Sequence, residues 1–155
     1  MSDFFTLSLL IKTIAIFIAS VAFSVIFKIG KRHIIYGGIL ATVTFLIYYT
    51  ALFFGAPLFT AAFVSTAAAA LCSEILARIR RAPTLVFLLA SVIPTVPGGN
   101  LYYAMRDLLS GDTEGAIQNF LTTMKIGLGI AGGIVTVSIL FAILSDAINK
   151  VREKK

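Results

Sequence analysis

Long apolar stretches, separated by short polar or turn-forming segments, run through the whole chain. A helix needs about 20 mostly apolar residues to cross the hydrocarbon core of a bilayer. Four stretches have about this length and cover residues 4–27, 34–54, 58–77 and 126–144, the last with a helical lead-in from Glu114. The pattern therefore predicts an all-α integral membrane protein.

A further apolar region is interrupted in its middle. Residues 82–93 are apolar, but as a helix they cover only about 18 Å, which is short of a bilayer core. The hexapeptide 94–99 contains two prolines and two glycines, and we predict that it is not helical. Irregular backbone at membrane depth persists only where protein buries it or where it lines a wet cavity.

A helix is expected to resume after this Pro/Gly motif. The i, i+3, i+4, i+7 spacing predicts one apolar face, formed by Leu101, Ala104, Met105 and Leu108. Asn100 is a suitable N-cap, and a helix N-terminus at this point would attract an anion. Transporters use half-helix N-termini in this way to hold substrate carboxylates. The candidate substrate-binding residues are Pro94, Thr95, Pro97, Gly98, Gly99, Asn100, Tyr103 and Arg106.

The spacing leaves a second interpretation open. Six extended residues add about 18 Å, so residues 82–99 alone can span a bilayer. Residues 100–109 would then form an amphipathic helix on the outer surface, with no role in substrate binding.

Composition excludes several classes of protein. Of the 155 residues, 59% are hydrophobic and only 13% are charged, whereas a soluble domain carries about 25% charged residues. A single cysteine and a single histidine cannot form an internal disulfide or a His/Cys metal site, and no nucleophile–base pair is visible. We therefore expect neither an enzyme, nor a metal or other cofactor, nor a nucleic-acid partner.

The positive charge instead predicts the orientation in the membrane. Ten of the 13 Lys and Arg residues form three clusters, after the first, third and last spans: Lys28, Lys31 and Arg32; Arg78, Arg80 and Arg81; Lys150, Arg152, Lys154 and Lys155. The positive-inside rule places all three clusters in the cytoplasm. This requires the broken region to cross as well, which gives a single domain, 1–155, with five crossings, N-out and C-in.

Small residues at a spacing of four predict close helix packing. One stripe comprises Ser65, Ala69, Ser73 and Ala77, and the last span contains Gly129 and Gly133 in a GxxxG arrangement. Such stripes let helix backbones approach each other in lipid. They pack either within this chain or against a partner.

Two carboxylates are candidates for proton coupling. Glu74 lies inside an apolar run, where an ionisable residue is a functional candidate by default, but Arg78 at i+4 offers it an ion pair. Asp107 is the second candidate, beside Arg106, which is the natural ligand for a substrate carboxylate if this helix faces the pathway.

Several of these segments resemble the threonine/serine exporter family. They are residues 73–78, Ala82-Pro83, the Pro/Gly motif with Ile93 before it and Leu101-Tyr102 after it, residues 109–112, and the Gly-rich last span. The match is to the small membrane subunit, equivalent to the C-terminal half of single-chain exporters, and is most convincing over residues 71–135. Thr95 departs from the family, where a larger apolar residue is expected, and this leaves the substrate open.

The resemblance implies a multi-pass secondary exporter of the cell inner membrane, driven by the proton gradient. It implies threonine, serine or succinate-like dicarboxylates as substrates, and a larger membrane subunit as the partner. Two alternatives remain open: a self-sufficient transporter or channel, for example a homodimer, and a non-transporting scaffold or anchor.

Overall fold

The computed structural model describes residues 7–153, and over this range the chain forms six α-helices and no β-strand. The helices are α1 (Leu7–Ile26), α2 (Lys31–Phe53), α3 (Leu58–Arg80), α4 (Thr84–Val92), α5 (Gly98–Leu109) and α6 (Thr113–Glu153), with a 3₁₀ turn at Ile93–Thr95. Residues 4–6 of the predicted first span, and Lys154 and Lys155 of the last basic cluster, lie outside the described residues.

The all-α membrane architecture expected from the sequence is confirmed. In the described range, α1, α2, α3 and α6 are each long and apolar enough to cross a membrane. The pair formed by α4 with its 3₁₀ turn and α5 is bent by 48° and provides a fifth crossing if it counts as one span. The predicted lead-in and last span are one continuous helix, α6.

Helices α3 and α6 form the closest contact in the bundle. A Cβ atom added to Gly133 would lie 2.6 Å from the backbone oxygen of Phe63, and one added to Gly129 would lie 2.6 Å from that of Phe59. Further along, the Arg78 guanidinium lies over the Phe141 ring. The contacts advance in the same direction on both helices, so α3 and α6 are parallel. The predicted GxxxG packing is confirmed as a contact within the chain.

Helix α4 packs in the opposite direction along α3 and also contacts α1 and α2. The Ser20 hydroxyl on α1 donates a hydrogen bond to the Ala90 carbonyl at 2.8 Å. A Cβ added to Gly37 on α2 would lie 2.7 Å from the Cβ of Ala90, so the backbones of α2 and α4 approach closely. Phe87 is fully buried against Leu40 and Ala77. Small and hydroxyl-bearing residues thus form much of the interior, as expected for helices that associate by close packing.

The chain returns along α3 through α4, and α5 then continues past the start of α3 before α6 begins. Val92, at the end of α4, packs beside Ala70 near the middle of α3. Helix α5 packs against the first part of α6 and forms an antiparallel hairpin with it, closed by a turn at residues 110–112. Because Gly129 contacts the start of α3, the preceding residues 113–128 of α6 extend about 24 Å past that end of α3.

The irregular segment is shorter than predicted. Ile93 has helical dihedrals and Pro94 lies inside the 3₁₀ turn, where the missing proline N–H is not needed. Gly98 and Gly99 begin α5 and have no positive φ. Outside the helices remain only Val96, which is extended as expected before a proline, and Pro97.

A matched pair of glycine substitutions in α6 tests the α3–α6 contact. We expect Gly133→Ala to destabilise the folded protein by about 1–3 kcal/mol, because the methyl group would overlap the backbone of α3. Gly127→Ala should be neutral or slightly stabilising, since no atom lies within 4 Å of an added Cβ there and alanine favours helix. Thermal unfolding in detergent measures both variants, and equal stability of the two would contradict this packing.

Candidate functional site

A shallow apolar groove lies beside the break between α4 and α5. It has a volume of about 340 Å³. Its lining comes from the start of α5 and the facing part of α6: Val96, Pro97, Gly98, Leu101, Thr123, Met124, Gly127 and Leu128. Pro97 and Gly98 of the predicted substrate residues therefore meet residues of α6 here.

Two glycines keep this groove open. Apart from the local helix backbone, no atom of the described chain lies within 4 Å of a Cβ added at Gly98 or Gly127, and neither residue has a positive φ. The fold itself therefore requires glycine at neither position, although glycine in a helix is about 1 kcal/mol less favourable than alanine. The effect of both glycines is to leave the backbone accessible from the groove.

The N-terminus of α5 opens toward this groove without a side-chain cap. Pro97 is the N-cap residue, in place of the predicted Asn100, and it provides no side-chain hydrogen bond. The first backbone hydrogen bond of the helix runs from the Leu101 N–H to the Pro97 carbonyl, at 3.2 Å. The Gly98 N–H donates to the Val96 carbonyl at 2.8 Å, whereas the N–H groups of Gly99 and Asn100 have no acceptor inside the helix and carry partial positive charge. A small anion can thus approach the N–H groups of Gly99 and Asn100.

Thr95 of the Pro/Gly motif and Asn100, which follows it, do not line the groove. Thr95 is buried, and its hydroxyl donates to the Val92 carbonyl at 2.7 Å, so its polarity is used within its own turn. Asn100 is half-buried in the first turn of α5 and makes no side-chain hydrogen bond with the described chain. The expectation that Asn100 caps the helix is wrong because Pro97 ends the irregular segment three residues earlier.

A polar cluster lies further along α5. The Arg106 guanidinium donates to Asp107 Oδ1 at 2.7 and 3.0 Å and lies 4.9 Å from the centre of the Tyr103 ring. The Asn119 side chain on α6 donates to Asp107 Oδ2 at 2.9 Å. Asp107 is only 7% exposed, so the polar side of α5 is partly buried against α6. A buried carboxylate with both oxygens hydrogen-bonded ties the hairpin together.

The structure separates the substrate-binding candidates into two groups. Arg106 lies eight residues after Gly98, about 12 Å along the helix. Tyr103 and Arg106 also project from the flank of α5 opposite to Leu101 and Leu108, which line the apolar side of the hairpin. The groove at Gly98 and the cluster at Arg106 are therefore adjacent sites rather than one pocket.

Glu74 is far from both groups, and no described residue forms an ion pair with it. The expected pair with Arg78 does not form, because Arg78 turns instead to the Phe141 ring of α6, 5.0 Å from its centre. Glu74 is half-buried on α3 and makes no hydrogen bond or ion pair with the described residues. Among the described side chains, the one ion pair is Arg106–Asp107.

Sequence reasoning missed the contributions of α6 to both groups. Asn119 partners Asp107, and Gly127 opens the groove opposite Gly98. Asn119 lies twelve residues from Asp107, and only the hairpin geometry brings the two together. The sequence shows that Gly127 is small, but residue spacing does not predict the open space beside it.

These features define a multi-pass helical membrane protein with a broken helix beside an open groove, an arrangement found in membrane transporters. The chain belongs to the family described as threonine/serine exporter, ThrE, whose profile matches residues 12–140. This family is one of transporters, which agrees with the resemblance seen in the sequence. Searches of curated proteins and of solved structures find no match to the chain.

Proposed function

We propose that this chain is the membrane subunit of a two-component secondary exporter for small carboxylate-bearing metabolites. Threonine, serine and succinate-like dicarboxylates are the candidate substrates, and the proton gradient is the driving force. Membership of the threonine/serine exporter family supports an export component in a membrane. The observation that carries the substrate class is the uncapped N-terminus of α5, which opens beside the groove at Gly98.

In this proposal, the two groups of residues on α5 have different roles. The N–H groups of Gly99 and Asn100 receive a substrate carboxylate at the positive end of the helix, and Gly98, whose own N–H donates to the Val96 carbonyl, leaves room for it. Pro94, Thr95 and Pro97 shape the break that exposes this end. Tyr103 and Arg106 form a second contact for polar or anionic substrate groups, because the Arg106 side chain stays largely exposed despite its pair with Asp107.

Proton coupling is assigned to Glu74 and Asp107. Glu74 supports this role more directly, since it is a half-buried carboxylate in an apolar helix and has no partner among the described residues. Asp107 is linked by hydrogen bonds to Arg106 and Asn119, so a change in its protonation would alter the hairpin beside the substrate groups.

The proposed partner is a larger membrane subunit, and self-association is the alternative. Gly127 and Ala131 are one helical turn apart on the side of α6 that does not contact α3, and Ala131 is exposed. A second small-residue face therefore remains uncovered in this chain, as expected for a subunit that packs against other membrane helices.

We further propose five crossings, N-out and C-in, in the cell inner membrane. The parallel alignment of α3 and α6 supports this, because the chain must return across the bundle through α4 and α5 before α6 begins. The basic residues at the end of α3 and the start of α2 then lie on the cytoplasmic side.

Single cysteines introduced into a Cys72→Ser chain test this arrangement. We expect an impermeant thiol reagent applied outside to label Phe54→Cys and Ser110→Cys, which lie at the ends of α2 and α5. Lys31→Cys should react only after the membrane is opened, because α2 begins on the cytoplasmic side. Labelling of Ser110→Cys only from the inside would contradict five crossings.

Transport into inverted membrane vesicles tests the function. We expect labelled threonine, serine or succinate to accumulate under an imposed proton gradient when this chain and the larger subunit are both present. Gly98→Leu should lower uptake at least tenfold while leaving the protein in the membrane. The open space at this position lets the variant fold, but the leucine side chain fills the groove.

The control for this variant is Glu114→Gln, an exposed position on the same hairpin, which should transport normally. Full activity of Gly98→Leu would overturn the proposed site. Uptake by this chain without the larger subunit would establish a self-sufficient transporter instead.

Glu74→Gln tests proton coupling separately from substrate binding. We expect gradient-driven uptake to fall to its level without a gradient, while exchange of labelled for unlabelled substrate continues. The physical reason is that glutamine keeps the shape of the side chain but cannot carry the proton. Unchanged dependence on the gradient would remove Glu74 from the mechanism and leave Asp107 as the candidate.

A further inference from the structure

A second groove lies at the opposite end of the bundle, between α2 and α3. It has a volume of about 260 Å³ and an apolar lining. The lining residues are Tyr36, Ile39, Leu40, Cys72, Ile75, Leu76 and Ile79. On α3, the four lining residues follow the i, i+3, i+4, i+7 spacing of one helix face, so the groove runs along the helix for about two turns.

Arg80 marks the end of this groove. Its guanidinium carbon lies 4.1 Å from the centre of the Tyr36 ring, and the guanidinium also donates a hydrogen bond to the Tyr36 hydroxyl. An aromatic ring, rather than a carboxylate, therefore holds the arginine in place. A guanidinium has five N–H donors, and most of these remain free for an oxyanion. The Tyr36 hydroxyl also keeps its own proton to donate.

The charged residues that begin α2 and end α3 around Arg80 all have the same sign. Lys31 and Arg32 begin α2, and Arg81 follows Arg80 at the end of α3, so all four side chains belong to the same end of the antiparallel pair. All four are exposed, and none forms an ion pair with a described residue. The nearest acidic residue on α3, Glu74, lies about 200° around the helix from Cys72 and so faces away from the groove.

We propose that this groove binds one anionic phospholipid. The phosphate contacts Arg80 and the Tyr36 hydroxyl, and an acyl chain lies along the apolar lining from Ile79 toward Cys72. The charge complementarity selects an anionic headgroup, and the groove selects a lipid over a free anion. Basic sites between transmembrane helices recognise anionic lipid headgroups by this chemistry. The proposal does not depend on which substrate the protein transports.

Lipid titration of the purified full-length chain in detergent tests this site. Native mass spectrometry would measure binding of phosphatidylglycerol, phosphatidylcholine and inorganic phosphate. We expect saturable binding of one phosphatidylglycerol, with at least tenfold weaker binding of phosphatidylcholine and of inorganic phosphate. Arg80→Gln should weaken phosphatidylglycerol binding about tenfold, because it removes charge-assisted hydrogen bonds.

The matched control is Arg78→Gln, which makes the same charge change on the same helix but over Phe141 rather than at the groove. This control should bind phosphatidylglycerol like the unmodified chain. Tyr36→Phe keeps the ring under Arg80 and removes only the hydroxyl, so it should weaken binding about threefold. This variant keeps the test valid if Arg80→Gln fails to fold.

Three results would overturn the proposal. Equal losses in Arg78→Gln and Arg80→Gln would indicate a general basic surface. Equal binding of phosphatidylcholine would indicate an apolar groove without headgroup selection. Inorganic phosphate that binds as tightly as phosphatidylglycerol would indicate an anion site without a lipid.

Discussion

The contact between α3 and α6 is the constraint on which the arrangement of this protein depends. Lipid tails are as apolar as leucine side chains, so helices in a bilayer gain little from the hydrophobic effect and associate by close packing. Gly129 and Gly133 let the backbone of α6 approach that of α3 to a distance that excludes even a methyl group. Because this contact makes the two helices parallel, the segment between them must return along the bundle, and the broken helix α4–α5 makes that return.

The break in this returning segment has a small structural cost and a large consequence. Only Val96 and Pro97 leave helical geometry, and the neighbouring 3₁₀ turn accommodates Pro94 without losing a needed hydrogen bond. The bend of 48° nevertheless exposes the start of α5 beside α6. Gly98 and Gly127, which the fold does not require as glycines, keep the groove open at this point. This groove is therefore the place on the hairpin best suited to a ligand.

Local spacing predicted the parts of the structure that depend on neighbouring residues in the chain. The spans and the GxxxG contact follow from apolar runs and small residues at a spacing of four, and both are present. The sequence did not reveal contacts that depend on distant residues. Arg78 contacts Phe141 instead of Glu74, and Asn119 donates a hydrogen bond to Asp107. Both contacts depend on where α6 packs. The predicted N-cap of α5 is also wrong. Residue types alone do not show that Pro94 and Thr95 of the hexapeptide 94–99 form a 3₁₀ turn, or that its two glycines begin the helix.

The unbroken length of α6 has a mechanical consequence. The helix extends about 24 Å from its glycine contact with α3 to the hairpin end, and about 30 Å from the same contact to Glu153. On the hairpin side of Gly129 this helix packs against α5, whereas beyond Gly133 it stays packed along α3 as far as Phe141. A shift of the hairpin end would therefore act on the rest of α6 through a helix without a break. The residues beside the groove and the part of α6 at the far end of α3 thus belong to one continuous helix.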